Sequence, residues 1–300
     1  MAVHKWKTGA LVGTAPGATS RIFVAEFRPD SDTEFVTAGI KHMRFWTVAG
    51  NVLVNKRGVV GRDRKMTTML AVAFGEAGVT FSAAMSGDIW VWRENMLERI
   101  IGASDGAHVG AVSTMYTYLG QKGTQIITGG KDGLVKVWDA AMARHKDYSV
   151  KGRNVRSVCR GSGGRLLIGS ESSEIFEILV GGKNGGGGGS GAGVTGSGIV
   201  KGSANGSVKG GSVRGGGSVR GSAGVGSSLT RLISGHEEGE LWGLATHPQE
   251  ARFASAGDDG LVALWDVASN KRIGKCPEKF PTGARYVFAC VSACVCVAGV

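Results

Sequence analysis

An all-β fold of repeated blade-sized units, a β-propeller, is predicted by three features of the sequence. Tryptophan-anchored strands recur at near-regular spacing, each anchor follows a glycine-containing turn, and short apolar runs of strand type fill the intervals without any long amphipathic helical pattern. Trp46, Trp92 and Trp138 stand 46 residues apart.

The first unit ends in Ala38-Gly39-Ile40-Lys41-His42-Met43-Arg44-Phe45-Trp46, and the second in Ser86-Gly87-Asp88-Ile89-Trp90-Val91-Trp92. Gly129-Gly130-Lys131-Asp132-Gly133 precedes Leu134-Val135-Lys136-Val137-Trp138-Asp139 in the third. A weaker fourth copy, Gly169 to Ile178, puts Ile178 at the tryptophan position, 40 residues after Trp138. The last reads Ala256-Gly257-Asp258-Asp259-Gly260 and then Leu261 to Asp266 around Trp265. The gap from Ile178 to Trp265 is 87 residues. Subtracting a glycine-rich insertion of about 46 leaves about 41, inside the WD40 period of about 40–45. The fold class is therefore an all-β WD40-type β-propeller with about five recognisable blades. Further strands are expected at Arg21 to Phe27, Met69 to Phe74, Val79 to Ala84, Gln125 to Thr128 and Leu166 to Ile168.

Two units carry a complete polar set for a buried network. His108, Thr128, Asp132 and Trp138 form the first, and His236, Ser255, Asp259 and Trp265 the second. In both, the aspartate lies six residues before the tryptophan and the hydroxyl four before the aspartate. A buried indole N–H and imidazole need partners, and this spacing supplies them, so the sets are structural tetrads and not catalytic groups.

Three segments follow: WD40 blades over 1–182, a Gly/Ser-rich insertion over 183–228, and a final blade with an atypical tail over 229–300. The insertion holds too little apolar surface to offset ordering entropy, so disorder is expected. Its Gly182-Lys183 is followed by Asn184, which excludes a phosphate-cradling P-loop. The apolar tail after Arg285 reads either as one buried strand or as the product of a faulty gene model, the second being preferred. Residues 1–182 carry 23 basic and 16 acidic side chains, a net +7, and the insertion adds +5, whereas 229–300 is at −1. This asymmetry suits an anionic partner or simply serves solubility. Five cysteines, with Cys290, Cys294 and Cys296 crowded together but without zinc-type pairs, indicate a reducing compartment. Neither a signal peptide nor a spanning segment is read, so a cytoplasmic chain is expected.

Several strings resemble one family closely. These are Asp32 to Arg57, with Lys41-His42-x-x-Phe45-Trp46 at its centre, the Thr80-Phe81 and Ser86-Gly87-Asp88 pair, Met115-Tyr116-Thr117, Thr128 to Gly133, and Glu240-Leu241-Trp242-Gly243-Leu244-Ala245-Thr246-His247-Pro248. The chain resembles the echinoderm microtubule-associated protein-like family over most of 21–182 and 229–275. The resemblance implies a tandem pair of atypical propellers and binding to microtubules or soluble tubulin, hence a cytoskeletal location that includes ciliary or spindle microtubules. Relative to that pattern the chain shows no preceding coiled coil or hydrophobic motif, carries the insertion, and ends mid-blade, so an incomplete or fragmentary ring is expected.

Catalysis is not expected. Six scattered histidines make no metal spacing, no G-x-S-x-G elbow occurs, and Asp258-Asp259 suits a blade turn better than an acid and base pair. His42 and His247 are read as structural or surface groups. No cofactor, metal, specific nucleic acid or membrane partner is expected. The candidate partner-binding residues are Lys41, Arg44, Lys56, Arg57, Arg62, Arg64 and Lys65, with Arg153, Arg156 and Arg160 further on. Lys56 to Lys65 holds five bases and one acid in ten residues read as loop, suited to acidic tails through salt-sensitive contacts or else a solvated loop. The alternative to a tubulin-binding scaffold is a generic WD40 adaptor in another multiprotein complex.

Overall fold

The computed structural model describes residues 1–5, 8–120, 123–150, 153–161, 164–179, 229–234, 236, 239–247 and 250–275, and the backbone of 287–289 and 295–297. Met1–Val180 and Ser227–Val300 form one compact unit and Gly181–Gly226 a second. The expected disorder of the insertion lies outside the described residues, as do the side chains of the tail.

The first sheet has six strands, β1 (Ala2–His4), β2 (Leu11–Thr14), β3 (Ile22–Phe27), β4 (Glu34–Gly39), β5 (His42–Ala49) and β6 (Val52–Arg57), in the order β1-β2-β6-β5-β4-β3. Four-stranded blades follow. The second contains β7 (Met69–Phe74), β8 (Val79–Ala84), β9 (Ile89–Arg93) and β10 (Met96–Ile101), and the third β11 (Val112–Gly120), β12 (Gly123–Gly130), β13 (Leu134–Asp139) and β14 (Arg144–Ser149). The fourth contains β15 (Val155–Arg160), β16 (Arg165–Ser170), β17 (Glu174–Leu179) and β18 (Thr230–Ser234), so the insertion separates its two outer strands. β19 (Leu241–Thr246), β20 (Arg252–Gly257), β21 (Val262–Asp266) and β22 (Lys271–Lys275) make the fifth.

Each blade is an antiparallel meander whose first strand packs beside the first strand of the next, β3 by β7, β7 by β11, β11 by β15 and β15 by β19. The tail, read as one buried strand or, by preference, as the product of a faulty gene model, contains two short antiparallel strands, β23 (Val287–Ala289) and β24 (Val295–Val297). β23 lies beside both β19 and β3, so a three-residue strand stands where a ring of six blades would place another innermost strand. Residues 103–105 form a single 3-10 turn.

The core is divided between blades. Along the inner strands, successive side chains point to opposite faces of the sheet, so each blade can meet a neighbour on either side. Trp92 packs with Val36, Ala38 and Met43 of the first blade, and Trp138 with Ala73, Phe81 and Val91 of the second. Ile178 packs with Ile127 and Val137 of the third, and Trp265 with Leu167 and Ile175 of the fourth. The anchor of every blade therefore leans on the blade before it. The cluster of Trp46 in the first sheet is instead completed by Met1, Val3 and Ala15 from the N-terminal hairpin. β2 joins this sheet through a single parallel bridge, Thr14 to Val52.

Close approach explains the glycine of one turn. Gly87, at φ +103°, would place a Cβ 2.4 Å from the His108 carbonyl, so only glycine lets the β8–β9 turn pass under the following connection.

Candidate functional site

In a meander of antiparallel strands, the second turn and the exit of the fourth strand lie at the same end as the start of the first. At that end of the first blade stand the β4–β5 turn with Lys41, the start of β5 with Arg44, the finish of β6 with Lys56 and Arg57, and the connection to β7 with Arg62, Arg64 and Lys65. Topology thus gathers all seven candidate bases at one end of one blade. Lys56 and Arg57, expected in a loop, belong to strand β6, because β5 keeps pairing as far as Arg44 opposite Arg57.

Lys41, Lys56, Arg57, Arg62, Arg64 and Lys65 are exposed and make no ion pair with the described residues. Lys41 occupies the left-handed region at φ 50°, which turns its side chain out of the hairpin. Arg44 is half-buried: its Nη1 donates to Asn55 Oδ1 at 3.2 Å and its guanidinium lies 5.9 Å from the Trp46 ring centre. It is the positioned member of the strip, and the others are free to meet a partner. Six cations within such a short span, with Asp63 as the one acid of the connection, create a local positive potential in solvent.

The later arginines are engaged internally. Arg153 pairs with Glu174 at 3.3 Å and donates to Ser172 at 2.7 Å. Arg156 pairs with Glu240 at 2.5 Å and stacks 4.9 Å from the Trp242 ring centre. Arg160 ends β15 at the opposite end of its blade, 4.4 Å from the Tyr118 ring centre, and donates to the Leu119 carbonyl at 3.3 Å. These three do not extend the strip.

The two polar tetrads have the following geometry. The Trp138 indole donates to Thr128 Oγ1 at 2.9 Å, that hydroxyl is 2.7 Å from His108 Nε2, and His108 Nδ1 is 2.9 Å from Asp132. In the fifth blade the corresponding distances are 2.7, 2.8 and 2.8 Å through Ser255, His236 and Asp259. A neutral histidine carrying its proton on Nδ1 satisfies every partner in both. Burial alone would raise the Asp132 carboxyl, but the hydrogen bonds from His108 and from the Val109 and Leu134 amides hold it below the ordinary range. Asp258, beside the second set, accepts from the Trp242 indole at 2.6 Å and from the Glu240 amide at 3.0 Å, which is the work of a turn residue. His247 Nδ1 accepts from the Glu250 amide at 2.9 Å in another turn.

A third network joins the first blade's anchor to the basic strip. Trp46 donates to Thr37 Oγ1 at 2.8 Å, and the same hydroxyl is 2.8 Å from Nε2 of the buried His42. Burial, then the charges of Arg44 and Arg57, hold the His42 imidazole below its ordinary value of 6.5. The folded chain consequently binds fewer protons here than the unfolded chain. The stabilisation is complete above pH 6.5 and is lost as pH falls through the depressed folded value. Thermal melts from pH 8 to pH 5.5 are expected to show a falling midpoint that flattens in His42→Gln; an unchanged slope in that variant would remove His42 as the cause.

Comparison with known proteins matches residues 1–178 to the family described as "Echinoderm microtubule-associated protein first beta-propeller", and residues 227–266 to "WD domain, G-beta repeat". Among curated relatives, human "Echinoderm microtubule-associated protein-like 2" is 28% identical over 273 residues, covering 90% of this chain and 34% of the relative. The "77 kDa echinoderm microtubule-associated protein" of Lytechinus variegatus is 26% identical over 268 residues, covering 89% and 33%. The chain spans about a third of the length of these relatives. Among solved structures, the WD40 β-propeller domain of Doa1 superposes with a TM-score of 0.60 at 12% identity, covering 88% of this chain and 71% of that one. The RRP9 WD40 repeats give 0.60 at 15%, covering 87% and 64%. At these identities the structural likeness shows the fold alone.

Proposed function

Because this chain belongs to the echinoderm microtubule-associated protein family through that family's first propeller, we propose that it is a non-enzymatic scaffold that binds microtubules or tubulin through the basic end of its first blade. The observation that carries the reading is the strip of exposed cations on Lys41, Lys56, Arg57, Arg62, Arg64 and Lys65, which make no ion pair with the described residues. An acidic, flexible protein tail is the complementary partner: it needs no shaped pocket, and its charges are neutralised wherever it crosses the strip. The blade supplies a rigid base for these groups, since Arg44 is clamped between Asn55 and Trp46 and Arg57 is held in the β5–β6 ladder.

Association of this kind weakens as salt screens it, over a Debye length of about 10 Å at 0.1 M. Co-sedimentation with stabilised microtubules at low and high salt tests it. Pelleting that falls steeply with salt is expected. A folded chain that stays in the supernatant at low salt would overturn the tubulin reading in favour of an adaptor for other proteins. A cytoskeletal location follows from the same proposal.

A further inference from the structure

We propose that the central cavity is a second binding site, for an alkylammonium or guanidinium group held against the carboxylate of Glu26. The cavity, of about 160 Å³, takes wall residues from all five blades, among them Glu26, Val72, Tyr116, Arg156, Trp242 and Thr246. That volume is below the roughly 300–1,000 Å³ of pockets for drug-sized ligands, which restricts the occupant to a group of side-chain size.

Glu26 is the anomaly in this wall. It stands in the otherwise apolar strand Ile22-Phe23-Val24-Ala25-Glu26-Phe27 and makes no hydrogen bond or ion pair with the described residues. Burial pushes its carboxyl up to about 7. An unpaired carboxylate in such a place costs free energy that a bound cation would return. Among the described residues, the one cation lining the cavity, Arg156, is not available to it. Arg156 sits near the start of β15, whereas Glu26 is near the finish of β3, and antiparallel alternation puts these at opposite ends of the central passage. Glu240 neutralises Arg156 at 2.5 Å, while Trp242, itself tied to Asp258 at 2.6 Å, fixes the guanidinium plane. Between the two ends, Val72, Val158 and Leu244 offer an apolar path for an aliphatic stem, and Tyr116 an aromatic face. Of the other strands bordering the cavity, β7 and β19 bring no ionisable side chain to it, β11 brings Tyr116, and β15 brings Arg156 and Cys159.

Calorimetric titration of the full chain with agmatine, and separately with a blocked peptide carrying one lysine, tests the site. Binding of agmatine at pH 8 assigns it to free small cations, and binding of the peptide alone assigns it to a partner's side chain. Either affinity is expected to fall about tenfold per pH unit below about 7, as the carboxyl takes up the proton that the cation must displace. Glu26→Gln, nearly the same size and uncharged, is expected to weaken binding at least about tenfold. Absence of heat from both ligands at millimolar concentration, or equal affinity in Glu26→Gln, would overturn the proposal. The pH series on the unsubstituted chain tests the same carboxyl even if that variant folds poorly.

Discussion

Replacing Trp138 by alanine is expected to destabilise the chain by about 3–5 kcal/mol, the range for deleting a large aromatic from a packed core. Trp138 is fully buried, and its ring fills the seam between the second and third blades against Ala73, Phe81 and Val91. Its loss opens a cavity there and also removes the indole donor from Thr128, at the hub of the third blade's network. Trp138→Phe separates the two contributions. It keeps most of the packing and loses the hydrogen bond, for an expected cost of about 1–2 kcal/mol. Urea unfolding followed by circular dichroism measures both, and a cost below about 1 kcal/mol for the alanine variant would show that the blades hold together without this anchor.

Joint replacement of Lys56, Arg57, Arg62, Arg64 and Lys65 by glutamine is expected to weaken microtubule co-sedimentation at least about tenfold at low salt and to flatten its salt dependence. Stability should change by no more than about 0.5 kcal/mol, because these side chains are exposed and make no ion pair with the described residues. Arg44 is left in place, since its stem and guanidinium lie against Trp46 and its removal would disturb the blade itself. Unaltered pelleting by this variant would move the contact surface away from the first blade.

The blades were legible because their anchors are local. A hydroxyl ten residues before each tryptophan, Ser82 before Trp92, Thr128 before Trp138 and Ser255 before Trp265, marks a strand pair whose register brings the two groups to 2.7–2.9 Å. Thr37, nine before Trp46, obeys nearly the same rule, and with it the structural role of His42 was within reach. The extent of the basic loop was not. Asn55-Lys56-Arg57-Gly58 has the composition of a turn, yet pairing with β5 carries the strand to Arg57, a tertiary preference that local propensity does not register. Glu26 was missed for a related reason. Its strand looks like any half-buried strand, and only the arrangement of five sheets around a common passage puts this carboxyl on the cavity wall without a partner among the described residues. The same arrangement explains why Arg153, Arg156 and Arg160 drop out of the candidate surface: their acidic and aromatic partners are contributed by segments distant in sequence, such as Glu240 for Arg156.

The one-sidedness of the anchors gives the molecule a grain. Each later blade, as the chain is made, finds the surface its tryptophan or Ile178 requires already present, and Trp46 finds Met1, Val3 and Ala15 ahead of it in the sequence. Growth can therefore proceed like masonry, every course bedded on the one below.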